Sequence, residues 1–258
     1  MENLTIVKVG GAVVEDDTQL SVLLHGFSAL PGYKILVHGG GRRATKIASQ
    51  LGIPTVMRDG RRVTDSATLT VVTMVYGGLV NKHVVALLQA LNVNALGITG
   101  ADADIIRAHR RPPVDGVDYG FVGDVDRVDR DALSRLLYNG FTPVIAPLTH
   151  DGVGNMLNTN ADTMASAVAV AMAPRFRVSL VYCFEKPGVL ANADDDSSII
   201  PTITRADFRH YVAIGTVSGG MLPKISNALD AVDHGVAQVV ITRADDLPDI
   251  SKGTKIVK

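Results

Sequence analysis

The sequence predicts an α/β protein built around a mainly parallel sheet, and three observations carry that prediction. Short apolar runs alternate with longer stretches of helical period, two of those runs end in clustered glycines, and 47% of the 258 residues are apolar, enough for a large core. The strand-like runs are "LTIVKVGG", "KILVHGGG", "NALGITG", "FTPVIAPL", "RVSLVYCF" and "QVVIT". "TLTVVTMVYGGLVNKHVVALLQAL" and "ADTMASAVAVAMA" read as helices by length and by their Ala and Leu content. Strand then helix, repeated, implies crossover connections and therefore parallel pairing, which gathers ligands at the carboxyl ends of the strands. One segment breaks the pattern. "RAHRRPPVDGVDYGFVGDVDRVD", residues 107 to 129, has prolines, turn residues and alternation at Val122 and Val125, and predicts an inserted hairpin able to cover a site. The run from Asn192 to Ser198 predicts a solvated loop or hairpin tip. With no repeat and no obvious linker, one compact chain is expected.

Charge narrows the function classes. Lys and Arg total 25 against 26 acidic residues, with no dense basic run, so a general nucleic-acid surface is not expected. Cys183 is the single cysteine and cannot form an internal disulfide, which suits a reducing cytoplasm. No signal peptide and no apolar run long enough to span a bilayer is read from the sequence, so the expectation is a cytosolic protein with no membrane partner.

The glycines come next. Neither "VGGAV" nor "HGGGRRATK" fits the P-loop pattern, and Gly39, Gly40 and Gly41 do not form the dinucleotide fingerprint. Taken alone, these glycines simply let a strand turn into a helix. Lys8 changes the weighing, because it lies inside an apolar strand two residues before Gly10. A desolvated ammonium there needs an anion, unless the strand is an edge from which the side chain snorkels into water. Two glycine loops at the ends of parallel strands would direct N–H groups at one phosphoryl group, with Lys8 as counter-charge.

Two further clusters point the same way. Asn158, Asn160 and Asp162 alternate ahead of an alanine-rich helix. Each serves as a helix cap on the plainest reading, yet three exceed what one cap requires. Asp162 could cap the helix or hold ammonium groups in place, and the amides could grip a carboxylate or phosphate oxygens. Farther on, Ser218, Gly219 and Gly220 predict a turn, and Lys224 opens a helix, either as a solvated surface lysine or as a second ammonium beside a glycine-rich helix start. Phosphoryl transfer needs electrostatic support of this kind rather than covalent chemistry.

At this point "KVGGAV", "LVHGGGRRATKIASQLGIPTVMRDGRRVT", "DYGFVGDV", "GFTPVIAPL", "MLNTNADTMASAVA" and "SGGMLPKISNALDA" resemble, in order, the motifs of the amino acid kinase family, in its acyl-glutamate branch. The resemblance covers nearly the whole chain, from Lys8 to about Ile241. It implies a three-layer sandwich around an open, mainly parallel sheet with a β-hairpin lid. It also implies a single domain over 1–258, whose lobe of about 1–170 binds acyl-glutamate and whose lobe of about 171–258 binds ATP. The implied activity is ATP- and Mg2+-dependent phosphorylation of the γ-carboxylate of an N-acyl-L-glutamate, with an N-acetyl group or a longer one such as N-succinyl, in the second step of arginine biosynthesis.

Position by position, the resemblance gives Lys8 and Lys224 the charge on the phosphoryl group in flight and makes Asp162 their organiser. Gly10, Gly11 and Gly40 donate backbone N–H groups, and Asn160 completes the catalytic set. Gly40 and Gly41 line the acyl-glutamate pocket, while Arg62 and Asn158 hold the α-carboxylate. Arg61 is expected to point away into solvent, and His38 to be structural. No protein ligand for a metal is expected, so Mg2+ would be held mainly through the nucleotide phosphates. Where the family reads Thr-Asp-Val-x-Gly, this chain has "FEKPGVL", with Phe184 and Glu185 in place of a hydroxyl residue and an aspartate. ATP is still expected along Glu185, Lys186, Pro187, Gly188, Val189 and Leu190, and at Thr216, Val217 and Ser218. The helix from Leu69 to Leu91 carries apolar residues on more than one face, and in the family it forms a dimer interface. Because the chain begins almost on its first strand, the expected state is a homodimer insensitive to arginine. The alternatives are another carboxylate or nucleotide kinase of the same fold, or a non-catalytic binder, which would be expected to lose Lys8, Lys224 or Asp162.

Overall fold

The computed structural model describes residues 1–58, 60–192, 194–218 and 221–258. The chain opens with β1 (Asn3–Val9), α1 (Gly11–Glu15), α2 (Asp17–Ala29), β2 (Tyr33–His38) and α3 (Gly41–Gln50). A short ribbon of β3 (Met57–Arg58) and β4 (Arg61–Arg62) precedes α4 (Ser66–Val72), a π-helical stretch over Thr73–Val80, and α5 (Asn81–Ala90). Next come β5 (Ala95–Ile98), β6 (Ile106–Arg110), β7 (Gly123–Val128), α6 (Arg130–Tyr138), β8 (Thr142–Ile145), β9 (Leu148–His150), β10 (Met156–Asn158) and α7 (Ala161–Met172). The last third holds β11 (Arg177–Phe184), β12 (Thr202–Ile203), α8 (Arg205–Ala213), α9 (Met221–Asp233), β13 (Gln238–Arg243) and β14 (Thr254–Ile256).

The eight-stranded sheet runs β12-β14-β13-β11-β1-β2-β8-β5. All six strand-like runs lie in it, and every neighbouring pair is parallel except β13 with β14. Both faces are covered, which explains why these strands read as continuous apolar runs rather than as alternating ones. Parity then separates two cores. Leu4 and Ile6, Ile35 and Val37, and Val178, Leu180 and Tyr182 pack on one face, against α7 and α9. Val7 and Val9, Leu36, and Val181 and Cys183 pack on the other, against α2, α3 and the long helical passage. The result is the three-layer α/β arrangement. At one end of the sheet β12 and β14 are two and three residues long, too short for periodicity to reveal.

Three details depart from the sequence expectations. The 107–129 insertion does contain an antiparallel pair, β6 with β7, but it is part of a four-stranded sheet, β10-β9-β6-β7, rather than an isolated flap. The helix over 69 to 91 is helical throughout, yet its middle widens to π geometry around Gly77 and Gly78, where no side chain resists the looser turn. That same helix, Ser66–Ala90, is long and apolar enough to cross a membrane, at a mean hydropathy of 1.5, which corrects the reading that no such run exists. Its Val71, Val72, Val75, Val84 and Leu88 are buried against the sheet, as a core helix requires. At the expected hairpin tip, Leu190 and Ile199 bridge antiparallel and the described residues of 192–198 form turns. Of the expected 218–220 turn, Gly219 and Gly220 lie outside the described residues.

Candidate active site

Strand parity brings the reactive groups together. Lys8 continues the Leu4–Ile6 column of β1, and Phe184 continues the Val178–Leu180–Tyr182 column of β11. Both therefore emerge at the carboxyl edge of the sheet on the face covered by α7 and α9. The helices deliver their partners from their first turns. Asn160 caps α7, its Oδ1 accepting from the Thr163 N–H at 3.0 Å. Asp162 is thereby released from capping, and its Oδ1 pairs with the Lys8 Nζ at 2.7 Å. Lys8 is only 6% exposed, so it is not an edge-strand snorkeller. The Lys224 Nζ lies 3.8 Å from the Phe184 ring centroid, and the Lys8 Nζ lies 4.9 Å from the same point. Burial holds the Lys224 pKa below the ordinary lysine value, with the Lys8 charge adding to that effect and Asp162 and Glu185 opposing it.

The two glycine loops meet beside this cluster. A Cβ on Gly39 would stand 3.1 Å from the Gly11 nitrogen, and one on Gly11 would stand 3.6 and 3.5 Å from the nitrogens of Gly40 and Gly41. Neither α1 nor α3 has a side-chain cap, and their first residues, Gly11 and Gly41, line the larger cavity. Gly10 differs from expectation. Its N–H donates to the Cys183 carbonyl at 3.2 Å, continuing the sheet, and is engaged within the protein. Gly40 has a steric reason to be glycine, since a Cβ would come within 2.9 Å of the Tyr76 ring on the π-helical stretch. Beneath the loop His38 is fully buried, its Nδ1 donating to the Gly39 carbonyl at 2.7 Å while its Nε2 accepts from the Asn81 Nδ2 at 3.1 Å. Burial pushes its pKa down to about 4. A neutral imidazole in this role is structural.

Two cavities adjoin at the loops. The larger, about 550 Å³, is bordered by Lys8, Gly11, Asp162, Phe184, Glu185 and Lys224. The smaller, about 160 Å³, is bordered by Gly40, Arg61, Arg62, Tyr76, Asn158 and Asn160. Gly41, Met57 and Arg62 line both. The Arg62 guanidinium is fixed by bonds to the Gly41 carbonyl and Thr45 Oγ1, both 2.8 Å, and to Thr55 Oγ1, 3.1 Å. The Asn158 Nδ2 donates to Thr64 Oγ1 at 2.9 Å. Arg61 corrects the expectation of a solvated decoy, because it lines the smaller cavity and its Nη1 is buried without a hydrogen-bond partner among the described residues. It does leave the ribbon on the side away from Arg62's partners. There it meets the insertion, where burial and Arg111 lower its pKa and Asp124 and Tyr119 raise it.

The expected nucleotide residues divide. Glu185 and Lys186 border the larger cavity, whereas Pro187, Gly188 and Val189 are buried, with the Val189 N–H donating to Thr254 Oγ1 at 2.8 Å. Leu190 bridges to Ile199, and Val217 is 2% exposed in the core. Among the described residues, neither Leu190 nor Thr216, Val217 and Ser218 line the cavity that holds the lysines. Sequence reasoning missed Tyr76, Met57 and Arg42. Arg42 lies 3.4 Å from Glu185 across the mouth of the larger cavity. The quoted "GGGRR" stretch placed Arg42 at a helix start, but nothing local indicates a partner 143 residues away.

A larger cavity with two ammonium groups, beside a smaller one with fixed guanidinium and amide groups, at the carboxyl edge of a three-layer sheet, defines a kinase acting on a small anion. The chain belongs to the amino acid kinase family, whose profile matches residues 3–243. Acetylglutamate kinase of Bacteroides thetaiotaomicron is 59% identical over 257 residues, covering 100% of this chain and 99% of its own. The Cytophaga hutchinsonii acetylglutamate kinase is 50% identical over 262 residues, covering 100% and 99%. Within the family the chain thus belongs with the acetylglutamate kinases. A Streptococcus mutans crystal structure superposes with a TM-score of 0.80 at 28% identity, covering 98% of each chain.

Proposed function

We propose that the chain transfers the γ-phosphoryl group of ATP to the γ-carboxylate of N-acetyl-L-glutamate, as an enzyme of arginine biosynthesis. The observation that carries this reading is the pair of adjoining cavities: Lys8 and Lys224 converge in one, and Arg62 and Asn158 line the other. The N-acyl-glutamate is held with its α-carboxylate near Arg62 and Asn158, which points its γ-carboxylate at the glycine loops. A carboxylate oxygen forms the new bond to the γ-phosphorus as the bond to the β–γ bridging oxygen breaks, and the electron pair leaves with ADP. The nucleophile is already ionised at neutral pH, so no base is needed. Lys8 and Lys224 compensate charge on the moving group, the N–H groups of Gly11, Gly40 and Gly41 at the starts of α1 and α3 donate to its oxygens, and Asp162 keeps Lys8 in place.

Family membership implies ATP with magnesium. The ion would arrive on the phosphate oxygens and neutralise part of their charge. In this reading the lobe of about 1–170 takes the acyl-glutamate and that of about 171–258 the nucleotide, along Glu185 and Lys186. The buried thiol of Cys183 suits the cytosol. Exposed Met74 and Leu79, on the outer side of the long helix, suit a homodimer. A coupled ADP-release assay with N-acetylglutamate, N-succinylglutamate, glutamate and aspartate tests the assignment. Turnover of an N-acylglutamate alone is expected, and turnover of none of the four would overturn it.

A further inference from the structure

We propose that Phe184 is a positioning residue whose single aromatic ring gathers the ammonium groups of Lys8 and Lys224. The inference rests on the kinase reading and gives the "FEKPGVL" departure a role. Two like charges brought to one place repel, and a single carboxylate, Asp162, pairs directly with Lys8. Among the described residues Lys224 makes no salt bridge, and its Nζ lies 3.8 Å from the Phe184 centroid. Lys8 is 4.9 Å from the same centroid. The ring's negative face attracts both cations without bringing a full negative charge that would repel the incoming phosphates. Its pull is also weaker than that of a phosphoryl oxygen, so the lysines can pass to the substrate. The ring is itself anchored. It stacks on Tyr182, with centroids 6.0 Å apart and planes at 6°, and the Tyr182 hydroxyl donates to the backbone carbonyl of Asp162 at 3.3 Å. Phe184, Tyr182, Asp162 and both lysines form one assembly across β1, β11, α7 and α9.

Replacing Phe184 in the full chain by mono-, tri- and pentafluorophenylalanine keeps its approximate shape while draining the ring face of negative potential. Turnover number is expected to fall stepwise along that series, by about 10-fold at its end, with the KM for N-acetylglutamate nearly constant. F184L is expected to fall as far, and F184Y to stay near wild type. A flat fluorination series in an active enzyme would overturn the proposal, even if F184L is impaired by misfolding. A second measurement does not depend on turnover: the ε-methylene NMR signals of Lys8 and Lys224 should be shifted upfield by the ring current, and the shift should vanish in F184L. Its absence from the wild-type spectrum would also overturn the proposal. If the wild-type chain turned over no acyl-glutamate, the kinase reading would fall, and the ring-current shift would decide the Phe184 contact alone.

Discussion

The two adjoining cavities are built by opposite means. In the smaller, the anion-binding group is locked by directional bonds: Arg62 has three fixed partners in the first residues of α3 and at Thr55, and Asn158 has Thr64. In the larger, Lys224 rests on an aromatic face, a non-directional contact, and of this pair of lysines Lys8 alone has a carboxylate partner among the described residues. On the proposed function the difference follows from what each would hold. An α-carboxylate stays still through the reaction, so a rigid fork suits it. A phosphoryl group moves from one oxygen to another, and flexible ammonium groups on a soft support can follow its charge.

Breaking the softer side should cost most. Lys8→Ala is expected to lower the turnover number by about 10²- to 10³-fold, with a much smaller change in KM, as steady-state kinetics would reveal. Equal loss in both parameters would mean that Lys8 serves binding rather than the transition state. Acid should next weaken the shared floor of the two cavities. Because burial depresses the His38 pKa from 6.5 to about 4, the unfolded chain binds the proton first as pH falls. Stability is therefore complete above pH 6.5 and is lost progressively toward pH 4, by about 3 kcal/mol for this group. Urea midpoints across that range check it, and H38Q should flatten this part of the profile. On the rigid side, Gly40→Ala forces a methyl to within 2.9 Å of the Tyr76 ring and should cost about 1–3 kcal/mol in urea unfolding. Arg62→Lys should raise the KM for N-acetylglutamate by about 10-fold and leave turnover nearly unchanged, since a point charge replaces the fork. The smallest effect is expected at the exposed Arg42–Glu185 pair across the cavity mouth, where E185Q should change stability by less than about 1 kcal/mol.

Legibility in the sequence followed the same division. The rigid side lies in continuous motifs: "HGGG" leads into α3, "GRRVT" holds Arg62, and "NTNAD" holds Asn158 and the α7 cap. Arg61 departs from the expectation, because alternation in a two-residue strand says which way a side chain leaves the ribbon but not what waits there, and the 107–129 insertion waits there. The soft side was harder to read. Phe184 registered as a departure from the family, and its meeting with Lys224 spans 40 positions that no local pattern connects. The run Pro187 to Val189 is expected at the nucleotide, and packing buries it beneath Thr254, a contact that no local pattern announces.

By itself the sequence determined the alternation of strands and helices, the placement of glycines at strand ends and the lysine within β1, because those depend on local periodicity and on the cost of burying charge. Tertiary structure alone decided that Lys8 and Phe184 share a face, that Asp162 pairs with Lys8 while Asn160 takes the cap, and that the two cavities adjoin at Gly41 and Arg62. Those outcomes depend on strand register and on helices arriving from distant parts of the chain, which only the packed sheet specifies.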